Sequence, residues 1–160
     1  MIILGIDPGT ARIGYAVIEK KDSDNLHLLT CGCLEVKNKE QKDRLGEISG
    51  LISDLISKYH PEILAIEKLF FAKNAKTALS VSEARGVIIN GANSFNLKIF
   101  DFTPPEVKLA ITGYGKAEKE QVRKMACRIL RMEVMPKLDD TSDALAIALT
   151  ACYTCSKLKN

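Results

Sequence analysis

What this 160-residue chain lacks narrows its function first. No apolar run approaches the length needed to cross a bilayer. The opening Met1-Ile2-Ile3-Leu4-Gly5-Ile6-Asp7 is too short, and too soon acidic, for a secretory signal. The expectation is a cytoplasmic protein with no membrane partner. There is no Walker loop, no GxGxxG and no Ser-His-Asp set, so nucleotide cradling and acyl-enzyme chemistry have no motif to rest on. The five cysteines, Cys31, Cys33, Cys127, Cys152 and Cys155, lack knuckle-like spacing, and His27 and His60 fall in no ligand pattern. They are expected to be buried, reduced thiols. A strong charge of one sign is missing too: the formal net charge is +3, which neither demands nor excludes a nucleic-acid partner.

What is present suits one compact globular domain spanning residues 1–160, with 46% apolar and 27% charged residues. There is no internal repeat and no low-complexity linker. Ile2–Ile6 is an apolar run that stops at Asp7-Pro8-Gly9-Thr10, a strand ending in a turn. Arg12–Glu19 and Leu26–Val36 read as two more strands, and the short connections predict an antiparallel meander. Leu45, Ile48, Ile52, Leu55, Ile56 and Tyr59 then recur at helical spacing, with Pro61 just beyond. Glu62–Glu67 and Leu97–Phe102 read as strands, and Asn74–Asn93, Pro104–Thr112 and Glu118–Arg131 as helices. A last helix starts near Thr141 and runs to about Ser156. The order predicts an α/β fold: a five-stranded mixed sheet flanked by helices.

The chemistry lies in the acids. Asp7 and Glu67 each follow an apolar strand, at the carboxyl end where ligands of α/β sheets usually bind. A charge there is half in the core and needs a cation or donor to compensate it. Leu138-Asp139-Asp140-Thr141-Ser142-Asp143 opens the last helix. Asp140 and Asp143 share a helix face, and so do Asp139 and Asp143; spacing alone does not choose between them. Ala144, Ala146 and Ala148 are small enough to let that helix approach the sheet closely. Four carboxylates brought together would carry about −4 and need counter-charge. Mg²⁺ is a hard cation that takes such oxygen ligands, and two ions about 3.5–4 Å apart suit phosphodiester hydrolysis. Basic residues crowd the last third of the chain, among them Lys108, Lys116 and Lys119.

Six segments, in order, resemble the RuvC family of Holliday junction resolvases. They are Leu4-Gly5-Ile6-Asp7-Pro8-Gly9-Thr10, then Glu67-Lys68-Leu69-Phe70-Phe71-Ala72-Lys73-Asn74, then Ala84-Arg85-Gly86-Val87. Thr103-Pro104-Pro105-Glu106-Val107-Lys108, Gly115-Lys116-Ala117-Glu118-Lys119-Glu120-Gln121-Val122 and Asp140-Thr141-Ser142-Asp143-Ala144-Leu145-Ala146 complete the set. The resemblance covers nearly the whole chain. It implies a ribonuclease H-like fold and a homodimeric endonuclease that makes paired nicks in four-way DNA junctions, working with the RuvA–RuvB branch-migration complex. It implies Asp7, Glu67, Asp140 and Asp143 as the catalytic, Mg²⁺-binding set, with Mn²⁺ as a substitute, and thereby selects Asp140 over Asp139. It implies Phe70 as a base contact and Lys108 and Lys119 as phosphate contacts; Lys73 and Lys116 are placed to join them. In one respect the chain departs from the family. Members often carry a histidine shortly after the last aspartate, where this chain reads Thr150-Ala151-Cys152.

Three other readings are weaker. Asp7-x-Gly9-Thr10 also resembles the first phosphate loop of actin and the sugar kinases, but that group needs two such domains and a second glycine-rich segment. The related YqgF-type nucleases share the opening but usually lack the Phe70-Phe71-Ala72-Lys73-Asn74 segment. An inactive junction-binding protein would not need an intact carboxylate set.

Overall fold

Period-two alternation decides which side of the sheet each strand residue faces, and here it sorts the core into two halves. The computed structural model describes residues 1–22, 25–69 and 75–157. Its elements are β1 (Ile2–Asp7), β2 (Arg12–Lys20), β3 (Leu26–Glu35), α1 (Gln41–Tyr59) and β4 (Ile63–Glu67), followed by α2 (Ala75–Ser94), β5 (Lys98–Phe102), α3 (Pro104–Thr112), α4 (Lys119–Ile129) and α5 (Asp139–Lys157). The five strands lie in the order β3-β2-β1-β4-β5. β1, β2 and β3 form the expected antiparallel meander. β4 and β5 then add in parallel beside β1, each after a helical crossover.

On one face Ile3, Ala16, Ile18, Ile63 and Ala65 pack under α3, α4 and α5. On the other, Leu4, Ile6, Val17, Leu64 and Ile66 pack under α1 and α2. The second face is filled by large branched side chains at helical spacing, Ile48, Ile52 and Ile56 of α1 and Ile88 of α2. The first is filled closely by a helix of small residues: Ala144, Ala146, Ala148 and Ala151 of α5 are all essentially buried.

Two glycines allow that close approach. A methyl group at Gly5 would lie 2.5 Å from the Ala144 carbonyl oxygen and 2.6 Å from the Ala148 Cβ. At Gly14 it would collide with the Asp140 backbone carbonyl. Both glycines are therefore contact points rather than flexible hinges.

Several element ends differ from the sequence expectation by a few residues. α5 begins at Asp139 rather than Thr141, because the two aspartates suit the positive end of the helix. α3 is stopped and started as its sequence suggests: Thr103 and Glu106 form a reciprocal cap, and Gly113 ends it at φ 76°. The expectation that all five cysteines are buried fails for two. Cys31 and Cys33 are only half-buried, because β3 is an edge strand with one neighbour.

Candidate active site

The alternation that builds the core also aims the acids. Asp7 follows Ile3 and Gly5 on the α5 face, and Glu67 follows Ile63 and Ala65 on that same face. Ile6 pairs with Ile66, so the next residues along, Asp7 and Glu67, end adjacent parallel strands side by side. In the other direction Asp7 pairs with Gly14, and Gly14 pairs with Cys33. Gly14 has no side chain, and the first turn of α5 settles over it with Asp140. One turn on, α5 brings Asp143 towards Asp7 and Glu67.

The electrostatics report this convergence. The Asp7 carboxyl is pushed up from the ordinary 3.8 to about 8, first by burial and then by the charges of Asp143, Glu67 and Asp140. Glu67 is raised by burial and by Asp143. Asp143 is raised by burial and by Asp139 and Asp140, while Lys119 pulls it down. Asp139 stands apart, the most exposed of the acids at 63%.

Two cations flank the acids. Arg12 Nε lies 3.1 Å from Asp140 Oδ2. Lys119 Nζ lies 2.8 Å from Asp143 Oδ2 and 3.5 Å from Asp139 Oδ2. Burial would lower the Lys119 ammonium, but the hydrogen bond and charge of Asp143, with Asp139 behind them, raise it. Neither Asp140 nor Asp143 serves mainly as a cap for its own helix; each meets a cation from a neighbouring element. Cys33 Sγ is 3.9 Å from Asp140 Oδ2.

Behind the site, Arg85 of α2 donates from Nε to the Glu67 carbonyl oxygen at 3.0 Å and pairs with Asp101 of β5. It fixes the end of β4 to a neighbouring strand and a helix on the far face. Beside the acids opens a pocket of about 220 Å³, lined by Glu67, Asp143, Lys108, Lys119, Pro104 and Val107 among others.

The structure thus brings together Asp7, Glu67, Asp140 and Asp143, with Lys108 at the pocket and Lys119 inside the cluster rather than on an outer rim. Lys116 is exposed in the turn between α3 and α4. Phe70 and Lys73 lie outside the described residues. Sequence reasoning missed Arg12, Arg85, Gly5 and Gly14. Arg12 stands just past the Asp7 turn and Arg85 inside a quoted segment, but only the fold reveals their partners.

Among the described residues, no three His, Cys, Asp or Glu side chains stand close enough to make a finished metal cage. The residues nonetheless fit a hard divalent cation. The donors are carboxylate oxygens, and burial with the neighbouring acids pushes Asp7 up to about 8, a shift that added positive charge would reverse.

Comparison with known proteins agrees with this geometry. Residues 3–151 match the model of the family described as crossover junction endodeoxyribonuclease RuvC. A relative of that name from Natranaerobius thermophilus is 47% identical over 150 residues, covering 93% of this chain and 92% of the relative. The RuvC structure of Thermus thermophilus superposes with a TM-score of 0.88 at 32% identity, over 98% of this chain and 97% of that one. The same protein in complex with Holliday junction substrate gives 0.92 at 30% identity, over 98% and 96% of the two chains.

Proposed function

Since the chain belongs to the crossover junction endodeoxyribonuclease RuvC family, with a ribonuclease H-like fold, we propose that residues 1–160 form one nuclease domain that resolves Holliday junctions by hydrolysing DNA phosphodiesters at the carboxylate cluster. One observation carries this reading: four carboxylates from β1, β4 and α5 converge, and their mutual repulsion and burial push Asp7 up to about 8.

Asp7, Glu67, Asp140 and Asp143 would hold Mg²⁺, two ions per site, with Mn²⁺ as a substitute. Bound divalent ions supply charge neutralisation and an activated water for phosphodiester hydrolysis. The chain's own residues do the rest. Asp7 must give up its proton before it can bind. Lys108 at the pocket and Lys116 on the neighbouring turn would hold DNA phosphates and set the register of the strand. Lys119, bonded to Asp143, reaches the same pocket. Phe70 would stack on a base at the crossover and Lys73 would hold an adjacent phosphate; both assignments rest on the sequence alone.

A four-way junction needs two symmetric cuts, and a two-fold homodimer would supply them. The exposed Leu79 of α2, with Val81, Val87 and Ile89 half-buried beside it, supports α2 as the meeting face. RuvA–RuvB would deliver the junction. No helix among the described residues is long and apolar enough to cross a membrane; the proposed place of action is the DNA of the cytoplasm.

The test is nicking of a labelled four-way junction beside a linear duplex of the same sequence, with and without Mg²⁺. Paired nicks in the junction only, and only with the ion, are expected. Equal cutting of both substrates, or cutting in chelator, would overturn the reading.

A further inference from the structure

Lys119 occupies an unusual place. It is the first residue of α4, where the helix dipole favours acids and disfavours a cation. Its ammonium turns away from that helix to Asp143, at 2.8 Å, and to Asp139, at 3.5 Å. Its charge also reaches Asp7 and Glu67, pulling both against the repulsion around them. Across the cluster, Arg12 at the start of β2 lies 3.1 Å from Asp140. Each cation therefore sits on an oxygen that a bound metal ion would need. Both remain about half exposed, at 55% and 54%, so both side chains are free to swing outward into the space where DNA would lie.

We infer that Lys119, and to a lesser degree Arg12, are resident counter-cations that hold the carboxylates in a neutralised resting state and compete with the metal ions for them. This deepens the nuclease reading and rests on it for the identity of the second ligand, DNA. In free protein a metal ion must displace an ion pair to bind. When a DNA strand enters, its phosphates offer the two cations a new partner and the acids are released. Metal and DNA then strengthen each other's binding by an equal factor, as linkage requires. A nuclease that loads its ions poorly until a backbone is present has less chance to act on the wrong target.

The test measures Mn²⁺ binding to the full-length protein without DNA, from the electron paramagnetic resonance signal of the free ion. Losing a charge-assisted hydrogen bond inside the cluster should tighten Mn²⁺ binding about tenfold in Lys119→Met. Arg12→Met, an exposed pair, should gain only about two- to threefold. Lys119→Arg keeps the charge and should stay near wild type. Lys42→Met, exposed on α1 across the sheet, is the control for net charge and should leave the affinity alone. An uncut junction analogue should tighten Mn²⁺ binding in wild type by a larger factor than in Lys119→Met. Unchanged or weaker Mn²⁺ binding in Lys119→Met would overturn the inference, and so would an equal gain in Lys42→Met. The wild-type protein gives a second reading that needs no variant. The protected ¹⁵N signal of the Lys119 ammonium should vanish as Mg²⁺ is added without DNA, and its persistence at saturation would sink the idea. The titrations without DNA involve no junction and none of them requires cleavage, so they stand or fall apart from the nicking assay that tests the nuclease reading.

Discussion

The two faces of the sheet are built on opposite plans. Under α1 and α2 the contacts are large and aliphatic, and Ile48, Ile52, Leu64, Ile66 and Ile88 fill the space. Under α5, beside larger side chains such as Ile3, Ile18, Leu145 and Ile147, glycine and alanine let backbone meet backbone at Gly5 and Gly14. The bulky face can absorb small changes in side-chain volume without moving anything chemical. The close face cannot, because the helix that seals it also carries Asp140 and Asp143. Both faces carry a buried apolar core, but only the close face also carries the acids of the candidate site.

The sharpest test of that division is loss of a site acid. Glu67→Gln should keep junction affinity and melting temperature but lose cleavage by about 100-fold or more, since partners one shell out from a metal already cost about 10–100-fold. Asp7→Asn and Asp143→Asn should behave alike, and the exposed Asp139→Asn should be milder. Binding and cleavage falling together in Glu67→Gln would show that the acid also supports the DNA complex.

Next comes a matched pair of core changes. Gly14→Ala forces the first turn of α5 outward; a displacement near 1 Å should cut turnover about 100-fold. Ile52→Ala on the other face should cost about 2–5 kcal/mol of stability, with normal turnover per folded molecule. Melting curves and single-turnover rates measured side by side decide it. If Ile52→Ala lowers turnover as much as Gly14→Ala does, the two faces are not separate.

A smaller effect follows from the close face's buried acids. In metal-free protein Asp7 keeps its proton up to about pH 8, whereas an ordinary aspartate loses it near 3.8. Between those values the folded state binds more protons than the unfolded one, so stability must fall as pH rises. Glu67 and Asp143 are shifted in the same direction. The melting temperature in chelator should therefore decline from pH 5 to pH 8, and in Asp7→Asn the decline should be shallower. A rise over that range would show that Asp7 is ionised in the resting site.

The smallest expected effect lies outside both faces. Lys116 is exposed and belongs to neither core half. Lys116→Ala should weaken junction binding about equally for all sequences and flatten the salt dependence by roughly one unit. An altered cutting preference with an unchanged salt slope would contradict a phosphate role.

Much of this was legible in the sequence, and the limits have physical reasons. Asp7 and Glu67 could be placed because each closes an apolar strand, which fixes the end; the side came only with the sheet register. The meander was legible in its short connections, and close packing of α5 in its alanines. The glycines were not, because a strand glycine reads the same whether it faces solvent or a helix at the far end of the chain. Lys119 read as a phosphate contact on the rim; its bond to Asp143 depends on how α4 and α5 dock, which no local pattern encodes. Arg12 and Arg85 share that difficulty, since their partners are distant in sequence. Cys31 and Cys33 read as buried because that is the default for thiols outside a metal-knuckle pattern, but composition does not reveal which strand lies at an edge.

The row Cys33, Gly14, Asp7 and Glu67 crosses four neighbouring strands at one level. The proposed catalytic centre, laid along a single rung, would tie accuracy of folding to accuracy of cutting. If β1 slipped by one residue, Asp7 would swing through to the aliphatic side, and Ile6 would take its place beneath α5. Such a chain would bury a charge among Ile and Leu and could not persist as a slack, half-working enzyme. For a protein whose errors would be breaks in chromosomes, that coupling makes misfolded copies inert rather than dangerous.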